Sequence, residues 1–219
     1  MTCDSGLVSR KMTKGLFITL EGIEGVGKTT HAEFMADLFR RNGRTVTLTR
    51  EPGGTATGES IRDILLYSKD QNIDPESELL LIFAARAQHI QEVIAPAISS
   101  NDIVICDRFT DATYAYQGGG RGISKEKIKL IEDWVQKGLV PDLTLLFDTS
   151  IETGLSRAGK RSTADRFESE TIVFFKNVRQ AYLDMAMENS ERVHIIDATL
   201  SIQQVQLEIT KILEKKQLC

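Results

Sequence analysis

The stretch "GIEGVGKTT", Gly22–Thr30, follows directly on "LFITLE", Leu16–Glu21. The apolar and β-branched residues of the first run predict a buried strand. The glycines then end it, and Ala32, Met35, Leu38 and Phe39 recur behind them at helical spacing. Gly22-x-x-x-x-Gly27-Lys28-Thr29 is therefore the phosphate-loop spacing in its strand-then-helix context. Glycine lets consecutive backbone N–H groups turn inward around a phosphate, and the next helix aims its positive dipole end at the same anion. Lys28 is placed to reach the β- and γ-phosphates of a nucleotide, and Thr29 carries the hydroxyl expected on Mg²⁺. A glycine turn that binds nothing would not need this whole pattern. The candidate nucleotide-binding residues are Gly22, Ile23, Glu24, Gly25, Val26, Gly27, Lys28, Thr29 and Thr30.

Outward from that loop, apolar β-rich runs alternate with helical patterns, the mark of a parallel sheet with crossover helices. Strands are predicted at Leu16–Glu21, Thr45–Thr49, Ile103–Cys106, Leu143–Phe147 and Val193–Ile196, apolar enough for burial on both faces. Ile128, Ile131 and Val135 mark one helix. Asp74-Pro75 starts another, and Leu79–Ala85 behind it reads as buried all round. Ser201 with Gln204 forms a capping box ahead of Ile202, Val205, Ile209 and Ile212. Five strands and seven to nine helices predict one three-layer α/β/α domain over 14–219, preceded by a disordered extension at 1–13, with Met12 as an alternative start.

The totals fit that picture. The chain has 219 residues, 41% hydrophobic and 26% charged, which is ordinary for a soluble domain. A net charge of −4 with a pI near 5.5 argues against nucleic-acid binding by phosphate neutralisation. Cys3, Cys106 and Cys219 contain no C-x-x-C pair, which argues against a disulfide framework or zinc site and fits a reducing cytoplasm. The longest apolar run, Leu79–Ala85, is far too short to span a membrane.

A phosphate loop does not name a reaction. The chain lacks an N-K-x-D guanine-reading motif and a D-x-x-G switch after the loop, and its glycine spacing is not that of dinucleotide folds. Four further stretches bear on the second substrate: "TREPGGT" (Thr49–Thr55), "FAARAQH" (Phe83–His89), "DRFTDATYAYQGGGRG" (Asp107–Gly122) and "RAGKRSTADRFE" (Arg157–Glu168). Taken alone they read as a strand-ending turn, a helix with one arginine, an Asp-Arg ion pair with a packed helix, and a solvated basic face. Together with the phosphate loop, and in this order, they resemble the thymidylate kinases over nearly the whole chain from about Lys14.

That resemblance implies a P-loop nucleoside monophosphate kinase fold with a five-stranded parallel sheet, phosphorylating dTMP to dTDP with MgATP. By the same resemblance Asp107 acts with Thr29 on Mg²⁺, Arg108 touches the phosphates, and Glu51 and Pro52 border the dTMP pocket. Arg62 binds the monophosphate and Arg86 donates to the base oxygen. The family places a phenylalanine one turn before that arginine, whereas here Ile82 stands there and the aromatic is Phe83, so either Ile82 covers the base with aliphatic contact or Phe83 reaches it by a small rotation. Thr113 and Gln117 lie near the base, Tyr116 against the sugar, and Glu24 contacts the acceptor sugar from the loop.

Gly118–Gly122 reads as a flexible connection. The basic run Arg157, Lys160, Arg161, Arg166 reads as a lid over 157–168, hinged at Gly159. Thymidylate kinases carry a catalytic arginine either in the phosphate loop or in the lid. The loop's variable positions, Ile23 to Val26, hold none, so Arg161 is the candidate, with Arg157 and Arg166 as helpers on ATP. The family is usually a homodimer. The rival readings are a kinase for dUMP or dCMP, and a nucleotide-binding protein without activity.

Overall fold

The computed structural model describes residues 14–67, 72–159, 166–168 and 170–218. Five strands, β1 (Leu16–Glu21), β2 (Val46–Arg50), β3 (Ile103–Asp107), β4 (Leu143–Asp148) and β5 (Val193–Asp197), form one all-parallel sheet in the order β2-β3-β1-β4-β5. β1 sits in the middle, with β3 on one side and β4 on the other, so chain direction across the sheet reverses at its carboxyl edge. That edge is where open α/β sheets gather ligands.

Side chains of β1 alternate between two apolar layers. Leu16, Ile18 and Leu20 join a large core with Met35 and Phe39 of helix α1 (Lys28–Arg41), Phe175 and Tyr182 of a later helix, and Ile209 near the C-terminus. Phe17 turns the other way, into a smaller cluster with Ile94, Val104, Cys106 and Phe109. Helices therefore cover both faces, as the alternating pattern requires. The central strands β1, β3 and β4 are buried, but β2 is half-buried and β5 alternates between buried and exposed, because both are edge strands. The expectation of two-face burial fails at those two positions.

Helix α2 (Ala56–Tyr67) leads to α3 (Pro75–His89), which starts where Asp74 accepts the N–H groups of Glu76 and Ser77, with Pro75 in the first turn. α3 is not buried all round: Leu80 is 57% exposed and Ala84 also faces out. A π-helical turn and the short α4 (Ala95–Ser99) return the chain to β3. After β3 come α5 (Thr110–Thr113) and a π-helical segment, Tyr114–Gly120. The glycine run predicted as a flexible connection is thus helical and packed. A Cβ on Gly119 would lie 2.7 Å from Ala181, and one on Gly120 would lie 2.4 Å from the Phe174 ring. The small residues let this segment press against α8 (Ile172–Glu188). The remaining helices are α6 (Lys125–Gln136), α7 (Ile151–Ala158) and α9 (Ile202–Lys215), the last with the predicted Ser201–Gln204 capping box.

Candidate active site

The phosphate loop, residues 22–27, runs from β1 to the N-terminus of α1. Its backbone is pressed against α7: a Cβ on Gly25, which has φ +74°, would sit 2.0 Å from the Gly154 carbonyl. Only glycine meets both conditions. Lys28 is 8% exposed and folds back to donate to the carbonyls of Gly22 (3.1 Å) and Ile23 (2.9 Å), with Asp107 Oδ1 4.0 Å away. Burial, with Arg108 nearby, lowers its ammonium to about 8. An arriving phosphate restores the charged form. ATP binding at pH 9 is therefore expected to take up about one proton, and affinity should weaken as pH rises beyond 8. Calorimetry in buffers of different ionisation enthalpy reads that proton directly; heats independent of buffer would contradict it.

Arg108 follows β3 in a left-handed conformation, φ +71°. Strain of this kind persists only where surroundings over-determine it, and here they do. Its Nη2 donates to Glu24 Oε1 at 2.8 Å, its guanidinium lies 4.7 Å from the Tyr116 ring centroid, and its Nη1 lies 3.4 Å from the Tyr182 hydroxyl. Tyr116 also donates to Glu24 Oε1, at 2.7 Å. Underneath, fully buried Glu21 accepts from the Phe109 N–H and the Tyr182 hydroxyl, both at 2.8 Å.

Burial and the neighbouring Asp111 raise the Glu21 carboxyl to about 7, against the lowering pull of Arg108. A raised carboxyl gives stability that is complete below the unfolded value of 4.5 and is lost as pH rises through 7. Between pH 4.5 and 8 the ligand-free protein should lose stability on the order of 3 kcal/mol more than Glu21→Gln does. Urea titrations across that range test it, and parallel curves for the two proteins would refute it.

A cavity of about 290 Å³ opens between this loop and α2–α3. Lys28 and Thr29 line it at the phosphate loop. Glu51, Pro52, Arg62, Arg86, Thr113, Tyr116 and Gln117 line the other end, and Arg108 and Asp107 lie between. Arg86 is 1% exposed. It is held by Glu51 Oε2 on Nε (2.7 Å) and donates from Nη2 to the Phe109 carbonyl and the Thr113 hydroxyl, both at 3.0 Å. Arg62 donates to the Pro52 carbonyl at 2.9 Å, and burial beside Arg50 lowers its pKa. Gln117 donates to Glu78 at 2.8 Å.

Among the described residues, six buried side-chain polar atoms have no hydrogen-bond partner, and three belong to this cavity: Arg86 Nη1, Glu24 Oε2 and Asp107 Oδ1. Unmade bonds on buried polar atoms are costly, and their convergence on one cavity points to a polar ligand.

The cavity lining departs from the expected site residues at several points. Phe83 does not reach the cavity. It packs with Leu79 and Ile128 against α6, and Ile82 is the residue that lines the wall, since one step along a helix turns a side chain by about 100°. Gly22, Ile23 and Thr30 do not line the cavity. The first two offer carbonyls to Lys28, Ile23 is a core residue, and Thr30 is exposed.

Of the lid arginines, Arg157 ends α7 and donates to the Ala198 carbonyl at 2.8 Å. Arg166 donates to the Leu65 carbonyl (2.7 Å) and to Glu78 (2.5 Å). Neither lines the cavity. Arg161 and Lys160 lie outside the described residues. The sequence reading passed over Arg50, Phe167 and Glu168 in the lining, and the supports Glu21 and Tyr182. Glu21 carried a signal, a carboxylate closing an apolar strand; Tyr182 carried none.

For a divalent cation, no group of three or more His, Cys, Asp or Glu occurs among the described residues. A magnesium ion held mainly by phosphate oxygens and water does not need one. The unpartnered Asp107 Oδ1 and the Thr29 hydroxyl beside the phosphate loop fit that role.

Comparison with known proteins agrees with this geometry. The family model described as "Thymidylate kinase" matches residues 20–209. The chain is 53% identical to the thymidylate kinase of Pseudomonas putida (strain GB-1), over 91% of this chain and 95% of that one, and 54% identical to that of Ectopseudomonas mendocina with the same coverage. The crystal structure of thymidylate kinase from Ehrlichia chaffeensis superposes with a TM-score of 0.73 at 36% identity, covering 91% of this chain and 99% of that one. With a phosphate loop, an arginine-lined cavity beside it and relatives matched over nine-tenths of its length, this chain belongs to the thymidylate kinase family.

Proposed function

We propose that this chain transfers the γ-phosphate of MgATP to dTMP, with the donor at the phosphate loop and the acceptor between Arg62, Arg86 and Arg108. The observation that carries the reading is the convergence of buried, unpartnered Arg86 Nη1, Glu24 Oε2 and Asp107 Oδ1 on the cavity that Lys28 closes at its donor end. Arg86 Nη1 donates to a base oxygen, with Ile82 as an aliphatic wall. Glu24 Oε2 accepts from the acceptor sugar, and Tyr116 fills the space beside it. Arg62 grips the monophosphate, for which a planar guanidinium suits bidentate capture.

The acceptor phosphate is already an oxyanion, so no strong base is required. The protein's part is alignment and cationic stabilisation by Lys28, Arg108 and Arg161. Thr29 and Asp107 would hold Mg²⁺, which offsets charge on the β- and γ-phosphate oxygens. Lid closure over the site excludes water that would otherwise take the phosphoryl group.

Exposed Tyr67 on α2, Leu80 on α3, and Leu130 and Trp134 on α6 offer apolar surface for the homodimer expected of the family. No helix among the described residues is long and apolar enough to cross a membrane, and a cytoplasmic location suits the substrates. ADP release with dTMP, dUMP, dCMP and dGMP tests the reading. Preferential turnover of dTMP is expected. Preference for dUMP or dCMP, or no turnover, would select one of the rivals.

A further inference from the structure

Behind Arg86 lies a buried chain of hydrogen bonds that the phosphoryl transfer itself does not use. His89, the last residue of α3 and fully buried, stands one turn beyond Arg86. Its Nδ1 lies 3.0 Å from Glu51 Oε1, and its Nε2 lies 2.6 Å from the Thr49 hydroxyl on β2. Glu51 is a carboxylate acceptor here, so the Nδ1–H donates to it, and in the neutral ring Nε2 accepts the Thr49 proton. Glu51 passes the constraint on through its other oxygen, which takes Arg86 Nε at 2.7 Å. The ring fits because Gly54 is bare; a Cβ there would lie 2.6 Å from His89 Cδ2 and Nε2.

The division of Glu51's two oxygens decides where Arg86 points. A free carboxylate beside a guanidinium takes two adjacent N–H groups along one edge in a bidentate pair. With Oε1 committed to His89, Glu51 takes Nε alone. Nη2 is then left for Thr113 and Phe109, and Nη1 for the cavity.

We propose that His89 is a positioning residue for base selection. By occupying Glu51 Oε1 it keeps Arg86 Nη1 presented to a pyrimidine carbonyl oxygen, and so favours thymine over cytosine, which offers an amino donor at that position. This inference rests on Arg86 reading the base.

Two near-isosteric variants of the full chain separate the roles of the ring nitrogens. His89→Asn keeps an amide donor near the position of Nδ1, whereas His89→Gln reaches toward Thr49 and abandons Glu51. For His89→Gln the kcat/KM ratio of dTMP to dCMP is expected to narrow about tenfold, mostly through KM for dTMP, with KM for ATP within about twofold. His89→Asn should keep the ratio within about threefold of wild type. Should either variant fail to fold by its melting curve, Thr49→Val, which exchanges the hydroxyl for a methyl of similar size, should narrow the ratio about threefold. Equal ratios for both His89 variants, or an unchanged ratio in Thr49→Val where it substitutes, would make the ring a core filler and overturn the inference. Wild-type protein inactive on dTMP would overturn the function reading instead.

Discussion

Lys28→Ala is expected to lower kcat for dTDP formation by about 10³-fold while the domain stays folded. The ammonium is buried at the start of α1, hydrogen-bonded to two backbone carbonyls of its own loop, with Asp107 Oδ1 at 4.0 Å. Its lowered pKa records that this placement is unfavourable until a phosphate arrives. Removing it from the ligand-free protein therefore costs little stability, and by relieving a desolvated charge can raise it. In the transition state the same removal strips a donor from the migrating phosphoryl group, where a dry site makes it strongest. Turnover measured beside a melting curve separates these effects. Near-normal kcat, or a collapse in Tm, would contradict this account of Lys28.

Arg161→Ala is the second large effect: a fall in kcat of about 10³- to 10⁵-fold, with ATP affinity changed only a few-fold. The phosphate loop carries Ile23, Glu24, Gly25 and Val26 where an arginine would otherwise stand. Both lid arginines among the described residues are engaged elsewhere, Arg157 by the Ala198 carbonyl and Arg166 by Glu78 and the Leu65 carbonyl. In the proposed function the γ-phosphate contact therefore falls to Arg161, which lies outside the described residues. Because lid contacts form on closure, the loss falls on the chemical step and not on initial binding. Single-turnover rates and ATP dissociation constants make the division visible. A variant with wild-type turnover would move the role to one of the other two.

How much of this the sequence made legible depended on whether a signal was local. Gly22–Thr30 specifies its own conformation, because glycine placement, the strand before it and the helix after it all lie within one short span. The sheet was legible for the same reason, to within a residue at the strand ends; β2 and β5 departed in burial, since nothing in their own sequences says that they become edges. Arg86 stood out as a cation inside an apolar run, and the structure gives it Glu51 as the partner that burial demands.

Helical phase was harder. Ile82 and Phe83 are adjacent, and which of them faces the cavity depends on the rotation of α3 against α6, a tertiary quantity. Pairings across long separations left no trace in any one segment: Glu21 with Tyr182, 161 residues apart, and Glu78 with Arg166, 88 apart. The partners of Arg166 were hidden for that reason. A basic run near a phosphate site suggests phosphate, while the buried carboxylate that holds it lies on a distant helix. The glycines at 118–120 misled in the opposite sense, because close helix packing and flexibility call for the same residue.

The most direct test of the account is a crystal structure with dTMP and a non-hydrolysable ATP analogue bound together. The triphosphate is expected in the amide cradle of residues 22–29 with Lys28 turned onto it, the dTMP phosphate between Arg62 and Arg108, and a thymine oxygen within hydrogen-bond distance of Arg86 Nη1. A pyrimidine nucleotide bound away from those three arginines would contradict it.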